Sequence, residues 1–413
     1  MSDNPLIKSQ YMGFPYPEPI KDIPLWLETH SQLGDPSNIA TFNTYWPGEK
    51  KRPLSILVAG CGTSQSAVMA YTNPECQITA IDLSTTSLSH TDRLKKRHSL
   101  SNLNLVELSL LEVSSLGQSY DLIVSTGVLH HLADPVAGGR ALASVLNDDG
   151  VLHLMLYGST LRYPIYPLQN SFHRMGLTQT SENAKRIKHL VENILDKDHP
   201  IHRYVNLCRD LSYEAGVIDT FLNPQDKAYS VSEVFEFANH IEMTFDSWLD
   251  NGDYYIGHEP HFAGAEFLAT FPEFSKLPFY LQSEVVDSLF MKRGVHRFNL
   301  VKTKRTYISD ILRGAHERSV TPALKGLQIF EHPEYPEGRV WGRHPFLQTP
   351  FALDLKSVEI FNLVQAHTPA KHIVETLVKN GATLKEAESQ LQGLMTDMWF
   401  RGHLYFSHPD NTL

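Results

Sequence analysis

Short apolar runs alternate with amphipathic segments between residues 54 and 157, and this alternation predicts the fold. The runs that predict buried strands cover residues 54–59, 77–82, 104–108, 120–125 and 150–156. Apolar positions recur at helical spacing in the segments between them, over residues 65–73, 84–98 and 135–147. Strands that alternate with helices in this way predict a parallel sheet with helices on both faces.

The same pattern resumes further along the chain after a long interruption. Residues 160–215 have a helical pattern and are predicted to form an inserted cap. A helix over 231–240 and strands near 242–247 and 296–302 would complete a seven-stranded sheet, which leaves 258–292 as a second, smaller insertion. The predicted fold class is therefore α/β.

The two ends of the chain differ from its middle. Residues 1–53 hold many prolines and aromatics with little periodicity, which predicts an extended arm with one short helix. The tail carries three amphipathic helices, the last opened by a capping box of Thr383 and Glu386, and then the strand-like run HLYFSH. This pattern is typical of a small winged-helix-like domain. The predicted parts are an N-terminal arm or lid (1–53), a sheet domain (54–304, with insertions at about 158–230 and 258–292) and an accessory domain (305–413).

Charge limits the partners that the chain is expected to bind. The 413 residues have a formal net charge of −10, and residues 351–413 hold 5 Lys and Arg against 7 Asp and Glu. Because phosphate contacts require clustered cations, no nucleic-acid partner is expected. Protein docking, homodimer formation and simple packing stay open as roles of the accessory domain.

Composition favours a soluble protein of the cytoplasm. The chain is 42% hydrophobic and 20% charged, and its three cysteines (Cys61, Cys76 and Cys208) are unevenly spaced, as in a reducing compartment. The first residues, MSDNPLIKSQ, contain no apolar signal core, and no apolar stretch approaches the length of a membrane span. The 21 histidines are scattered, so no metal site is expected.

The run ILVAGCGTSQSA, residues 56–67, carries the most specific chemical signal. It predicts a buried strand that ends in a glycine-rich turn and leads into a helix. Gly60 and Gly62 allow a close approach of the backbone to a ligand, and Asp82 at the end of the next strand is placed to accept ribose hydroxyls. This arrangement indicates a cofactor with a nucleoside, and a nicotinamide dinucleotide is one candidate.

Residues 54–157 resemble the class I S-adenosylmethionine (SAM)-dependent methyltransferases through the runs GCGT, AIDLS and GVLHHLADP. The resemblance implies a Rossmann-like sheet, a transferase activity, SAM as the cofactor and a fourth strand that ends beside the sulfonium. It implies a pocket role for one of His130 and His131, with His130 preferred. The residues expected to bind the cofactor are Gly60, Cys61, Gly62, Gln65, Asp82, Leu83, Ser109, Leu110, Thr126, Gly127 and Val128.

The N-terminal run QYMGFPYPEP is similar to the Q-Y-E-x-x-P-Y-P box of a bacterial subgroup of these enzymes. That subgroup includes tetratricopeptide-linked methyltransferases and, more distantly, lysine methyltransferases that act on outer-membrane proteins. The similarity implies that Tyr11 and Tyr16 fold over the SAM site as part of a lid. The glutamate of the box is Met12 here. The run DTFLNPQDKAYSVSEVFEF resembles a segment between the fifth and sixth strands of relatives, which implies that Asp219 and Tyr229 line the acceptor pocket.

Three positions depart from the usual methyltransferase pattern. The third glycine of the loop is Ser64, and the acid that often holds the methionine amino group is Val58. Gln65 or backbone carbonyls would then take over the role of that acid. The acid that often contacts the adenine is replaced by Ser109, which is a weaker acceptor.

The preferred function is methyl transfer to a nitrogen of a protein or peptide side chain, because the cap and the tail offer docking surface to a large acceptor. The residues expected to be catalytic are Tyr11, Tyr16, His130 and Asp219. A small-metabolite acceptor remains an alternative. A catalytically silent SAM-binding module is a second alternative, suggested by Val58.

Overall fold

The computed structural model describes residues 5–30, 32, 34–46, 52–249, 251–254, 256, 264–303, 321–324, 328–330, 339–344, 347–400 and 404–407. The chain divides into two compact units. The sheet unit consists of Met1–Ser37, Arg52–Trp248 and Asp287–Lys304. The second unit consists of Asn38–Lys51, Leu249–Val286 and Arg305–Leu413.

The sheet unit is built on the strands that the apolar runs predict. The strands are β1 (Ser55–Ala59), β2 (Gln77–Asp82), β3 (Leu103–Glu107), β4 (Tyr120–Thr126), β5 (Leu146–Gly158), β6 (Ala228–Tyr229), β7 (Thr244–Trp248) and β8 (Val295–Val301). Their order is β3-β2-β1-β4-β5-β8-β7, with the two-residue β6 paired to the end of β5. The five strands from β3 to β5 are parallel, and β8 runs antiparallel to both of its neighbours. The predicted Rossmann-like sheet is confirmed.

Burial explains why the central strands read as unbroken apolar runs. All positions of β1 after Ser55 are buried, and so are Leu122 to Ser125 of β4. When helices cover both faces of a parallel sheet, neither face is exposed to solvent. The strands therefore do not alternate between polar and apolar residues. The order of strands reverses direction at β1, and the adjacent crevice at the carboxyl ends of β1 and β4 is the usual ligand site of such sheets.

Helices cover this sheet and form the inserted cap. Those of the sheet unit are α1 (Pro5–Gly13), α2 (Ile23–Leu27), α4 (Gln65–Thr72), α5 (Thr85–Arg97), α6 (Pro135–Ser144), α7 (Ser159–Arg162), α8 (Ile165–Arg174), α9 (Ser181–His189), α10 (Ile201–Leu207), α11 (Glu214–Phe221) and α12 (Val231–His240). The helix α3 (Ile39–Tyr45) belongs to the second unit. Helices α7 to α11 bury one apolar core, which includes Phe172, Ile187, Tyr204 and Phe221. The predicted helical cap is therefore present.

The prediction of one short helix in residues 1–53 is wrong, because this segment contains α1, α2 and α3. Helix α2 has five residues and is preceded by its N-cap Asp22, whose carboxylate accepts a hydrogen bond from the Leu25 N–H at 3.2 Å. Helices of this length complete too few turns to leave a periodic apolar pattern in the sequence.

The second unit contains further helices and small antiparallel sheets. Its elements are α3, α13 (Gly264–Thr270), α14 (Phe279–Phe290, which contains the boundary at Val286), β9 (Thr321–Leu324), β10 (Gln328–Phe330), β11 (Arg339–His344), β12 (Leu347–Asp354), α15 (Leu355–Gln365), α16 (Ala370–Lys379), α17 (Leu384–Phe400) and β13 (Leu404–Ser407). The predicted strand near HLYFSH is β13, which pairs with β9, while the strands β9 to β12 were not predicted. The helices α15, α16 and α17 share a core around Phe361, Ile373 and Leu391.

The predicted capping box at the start of α17 is confirmed. The Thr383 N–H donates to Glu386 Oε2 at 2.8 Å, and the Glu386 N–H donates to Thr383 Oγ1 at 3.3 Å. In the described part of the chain, no helix combines the length and the apolar character needed to cross a bilayer.

Gly139→Ala should destabilise the sheet unit, although alanine is the better helix former. A Cβ at this position of α6 would lie 2.8 Å from Ile241 Cγ2 and 2.8 Å from Phe237 Cζ. Overpacking of this kind costs about 1–3 kcal/mol. Gly393→Ala in α17 is the control, since no described atom lies within 4 Å of its added Cβ, and it should stabilise by about 0.5–1 kcal/mol. Denaturant unfolding compares the two, and equal stabilities would contradict the packing at Gly139.

Candidate active site

A cavity of about 610 Å³ opens at the carboxyl ends of β1, β2 and β4. Its volume falls within the range of roughly 300–1,000 Å³ that is usual for cofactor pockets. The predicted site residues that line it are Tyr11, Tyr16, Gly60, Cys61, Gly62, Gln65, Asp82, Leu83, Leu110, Thr126, Gly127 and Val128. Ser109, His130 and Asp219 are buried but do not belong to the described lining.

The glycine turn between β1 and α4 is shaped by close contacts that exclude any side chain. Gly60 has φ +71°, and a Cβ there would lie 2.3 Å from Val128 Cγ2. Gly62 has φ +57°, and its added Cβ would lie 3.1 Å from the Tyr16 carbonyl oxygen. Since this left-handed region favours glycine, both residues are required by conformation and by space. The missing side chains therefore let Val128 and the N-terminal arm pack directly against the turn, which belongs to the cavity lining.

Asp82 fixes the conformation of this turn as well as lining the cavity. Its Oδ2 accepts a hydrogen bond from the Gly62 N–H at 2.9 Å, and its Oδ1 accepts one from the Ser84 N–H at 2.8 Å. Burial raises the pKa of the Asp82 carboxyl above its ordinary value, and these backbone N–H groups oppose the rise. Each carboxylate oxygen keeps a second lone pair with which it can accept from a ligand hydroxyl.

The N-terminal arm is tied to the loops around the cavity by hydrogen bonds to its backbone. Thr63 Oγ1 donates to the Pro17 carbonyl oxygen at 2.7 Å, and Ser84 Oγ donates to the Tyr11 carbonyl oxygen at 3.1 Å. The ring of Tyr16 stacks on the ring of Tyr213 with their centroids 6.1 Å apart. These contacts hold the arm against the cavity, whose lining includes Tyr11, Tyr16 and Pro17. The lid role of the arm stays a prediction.

Gln65, Gln32 and Ser109 are polar side chains near the glycine turn, and Gln32 was not predicted from the sequence. Gln65 Oε1 accepts from Thr126 Oγ1 at 3.2 Å, so this side chain is oriented within the lining. Both amide atoms of Gln32, which also lines the cavity, are buried and have no hydrogen-bond partner among the described residues. Ser109 Oγ accepts from the Leu111 N–H at 3.2 Å and caps the short helix that follows. Unpaired buried amide atoms are uncommon and indicate a polar ligand.

The carboxylate of Asp219 is the centre of a buried hydrogen-bond cluster. Its Oδ1 accepts from Tyr11 Oη at 2.8 Å, from Gln10 Nε2 at 3.1 Å and from Asn223 Nδ2 at 3.1 Å. Its Oδ2 accepts from Tyr157 Oη at 2.8 Å. With four donors around it, Asp219 orients the two tyrosine hydroxyls toward itself and has little capacity left to act as a base.

The two tyrosines of this cluster line the cavity as neutral phenols. Burial, followed by the charge of Asp219, raises the pKa of Tyr11 well above its ordinary value. The same two causes raise the pKa of Tyr157, with a smaller opposing effect of the Arg162 guanidinium. Because each hydroxyl hydrogen is directed at Asp219, the oxygen atoms are left with lone pairs only. Tyr157 was not predicted, since it directly follows the apolar run 150–156 and no motif marks it.

The double-histidine segment places His131, and not the preferred His130, in the cavity wall. His131 Nδ1 lies 2.9 Å from the Gln225 carbonyl oxygen, which can only accept, so Nδ1 carries the hydrogen. In the neutral imidazole Nε2 then has a lone pair, and it has no partner among the described residues. His131 is therefore the histidine that can accept a proton from a bound molecule.

His130 lies behind the wall and supports Tyr157. Its Nδ1 accepts a hydrogen bond from the Tyr157 N–H at 3.3 Å, and its ring stacks on Tyr157 with centroids 3.7 Å apart. The Arg162 Cζ lies 3.5 Å from the centre of the same tyrosine ring. Two groups this close to the ring centre cannot lie on the same face of the Tyr157 ring. The ring is therefore held between His130 on one face and Arg162 on the other. Burial, His131 and Arg162, in that order, hold the pKa of His130 well below its ordinary value.

The other residue predicted for the acceptor pocket does not line it. Tyr229 is buried, and its ring lies 4.5 Å from Lys227 Nζ. Its carbonyl oxygen lies 2.9 Å from Nε2 of the buried His296. Tyr229 therefore serves packing between β6 and β8.

Comparison with known proteins shows what the domain around this site is similar to. Residues 57–152 match the family model of a methyltransferase domain. An uncharacterized protein of Synechococcus sp. is 36% identical over 172 residues, 40% of this chain and 40% of that protein. A malonyl-[acyl-carrier protein] O-methyltransferase of Acetivibrio thermocellus is 30% identical over 111 residues, 27% of this chain and 38% of that protein. The chain thus spans about two fifths of the length of these curated relatives.

A solved structure extends the likeness of fold beyond this domain. PKMT2 from Rickettsia typhi, solved in complex with AdoHcy, aligns with a TM-score of 0.62 and 14% identity over 91% of this chain and 75% of that chain. The predicted methyltransferase fold is confirmed, and SAM is the cofactor of the family to which the domain model belongs. The narrower subgroup with the Q-Y-x-x-x-P-Y-P box stays a prediction.

His130→Asn should make stability less dependent on pH in the acidic range. The folded protein keeps His130 neutral, whereas the unfolded chain protonates it below about pH 6.5. The unfolded state then binds more protons, so stability falls with pH by up to about 1.4 kcal/mol per unit. Asparagine keeps an acceptor for the Tyr157 N–H but cannot titrate. Denaturant unfolding between pH 7 and pH 5, with exposed His173→Asn as the control, measures the slope; an unchanged slope would contradict a buried neutral His130.

Proposed function

We propose that this chain is a SAM-dependent methyltransferase that methylates a nitrogen of a protein or peptide side chain. The observation that carries the proposal is that one cavity contains two kinds of site. A cofactor end has the glycine turn and the carboxylate of Asp82. An acceptor end has Tyr11, Tyr157 and His131, whose oxygen and nitrogen atoms have lone pairs.

The cofactor end fits SAM by its residues. Gly60 and Gly62 form the left-handed turn that belongs to the cavity lining, and Asp82 has lone pairs for two ribose hydroxyls. The unpaired amide of Gln32 offers a donor and an acceptor, which suit the carboxylate and the amino group of a methionine moiety. In this role Gln32 compensates for Val58, where related domains often have an acid.

The acceptor end fits a nitrogen nucleophile because it presents acceptors. When bound, SAM supplies a methyl group on a sulfonium, which a neutral amine displaces in line. Tyr11 Oη and Tyr157 Oη each direct their hydrogen at Asp219 and keep lone pairs that can accept an N–H. These bonds would aim the nitrogen lone pair along the attack line, and alignment of this kind contributes up to about 7–11 kcal/mol.

One proton must leave the nitrogen, and we assign its acceptance to His131 Nε2. His131 belongs to the cavity lining, and the Nδ1–H bond to Gln225 fixes the ring orientation. The arm over the cavity excludes water, which would otherwise solvate the amine and weaken these contacts. A polypeptide acceptor is supported by the fold shared with PKMT2 over 91% of the chain, far beyond residues 57–152.

Asp82→Asn should weaken AdoHcy binding by about ten- to hundredfold, the range expected when a charged hydrogen-bond acceptor is lost. Asparagine is preferred to alanine, because it keeps an oxygen for one of the two backbone N–H groups that Asp82 holds. Glu107→Gln, at an exposed position at the end of β3, is the matched control. Calorimetric titration gives both affinities, and equal values would remove Asp82 from the cofactor site.

Tyr157→Phe should lower turnover about tenfold or more and change AdoHcy affinity little. The substitution keeps the ring between His130 and Arg162 and removes only the hydroxyl at the acceptor end. A loss of one hydrogen bond to the nucleophile is worth about that factor. Transfer of labelled methyl from SAM into the proteins of a fractionated lysate measures turnover, with exposed Tyr163→Phe as the control. Undiminished transfer would contradict the acceptor role of Tyr157.

A further inference from the structure

The cavity has an end beyond Tyr157 where the charged residues are cations. Arg162, Lys292, Arg293 and Arg297 line it, and Asp82 at the nucleoside end is the one carboxylate within the described lining. The whole chain has a formal net charge of −10, so composition alone would not place four cations on one wall. A cleft lined by one sign of charge concentrates ligands of the opposite sign.

Strand pairing explains how these cations reach the acceptor side. In the antiparallel register of β5 and β8, Tyr157 pairs with Val295 and Met155 pairs with Arg297. The Gly158 N–H also donates to the Gly294 carbonyl oxygen at 2.9 Å. The turn that contains Lys292 and Arg293 therefore lies next to the end of β5, where Tyr157 is located.

Helices α7 and α10 close the same end of the cavity. A Cβ on Gly294 would lie 3.1 Å from the ring of Tyr204 and 3.4 Å from Arg162 Cγ. Arg162 Nη1 donates to Tyr204 Oη at 3.2 Å. The part of the lining that contains the four cations therefore also contains the aromatic ring of Tyr204.

Arg162 is fixed in this wall by partners behind it. Its Nη2 donates to Asp226 at 2.9 Å, which balances one charge from behind the wall. Its guanidinium also interacts with the hydroxyl of Tyr166. Arg162 therefore contributes a fixed cation to the lining, together with Lys292, Arg293 and Arg297.

We propose that this cationic end binds a carboxylate or phosphate group of the methyl acceptor, an inference that rests on the proposed function. Bound there, the anion places the neighbouring nucleophile at Tyr11, Tyr157 and His131. The same cations disfavour the ammonium form of an amine held close to them. They therefore favour the neutral nitrogen that methyl transfer requires, and they reject acceptors with basic neighbours.

Binding of matched probes to the AdoHcy-loaded full chain tests this inference. The probes are glutarate and two lysine peptides, one with glutamate and one with glutamine on both sides of the lysine. The glutamate peptide or glutarate should bind at least about tenfold more tightly than the glutamine peptide, and added salt should reduce the difference. Tighter binding of the peptide than of glutarate identifies a polypeptide source of the anion, and the reverse identifies a small acid; both support the cationic site.

A double variant, Lys292→Gln with Arg293→Gln, should weaken binding of the anionic probe about tenfold. The control is Lys185→Gln with Arg186→Gln, the same pair of residues at exposed positions of α9. Arg162 is left unchanged, since its ion pair with Asp226 is buried. Equal binding of charged and neutral probes, or an affinity that the cavity variant leaves unchanged, overturns the inference. A wild-type chain that fails to bind AdoHcy would instead overturn the proposed function.

Discussion

The buried carboxylate of Asp219 is the group on which the acceptor side of the site depends. It accepts hydrogen bonds from Gln10 and Tyr11 of the arm, from Tyr157 at the end of β5 and from Asn223. A buried carboxylate is stable only when such donors surround it. One group therefore connects the N-terminal arm, the sheet and the inserted cap. It also orients both phenols, because each phenol O–H is directed at it and the phenol oxygens keep only lone pairs for other partners.

The cavity is divided by charge along its length. Asp82 and the glycine turn lie at one end, the acceptor oxygens of Tyr11 and Tyr157 lie in the middle, and the cations around Arg162 lie at the other end. In the function that we propose, each region binds a different part of the reacting pair: a nucleoside, a nucleophile with N–H groups, and an anion beside it. Residues that the structure places behind the wall, such as His130, act by holding Tyr157 between two stacked groups.

The sequence was sufficient for the sheet and for the cofactor end, because both depend on local patterns. Buried strands leave apolar runs, and the glycine turn leaves Gly60 and Gly62 at fixed spacing from Asp82. The acceptor end depends on contacts between distant residues, and no spacing in the chain records them. Tyr11 and Asp219 are hydrogen-bonded although 208 positions separate them in the sequence, and Tyr157 and Asp219 are separated by 62 positions. The run GVLHHLADP also could not separate His130 from His131, since the choice depends on which ring reaches Gln225.

The account is tested most directly by the kind of atom that receives the methyl group. The full chain is incubated with SAM carrying an isotope-labelled methyl group and with fractionated lysate, and the labelled product is examined by NMR. The chemical shift of the transferred methyl distinguishes an N-methyl group from a methyl ester or ether. We expect an N-methyl signal in the protein fraction. A signal from an O-methyl group there, or no transfer by a chain that binds AdoHcy, would contradict the account.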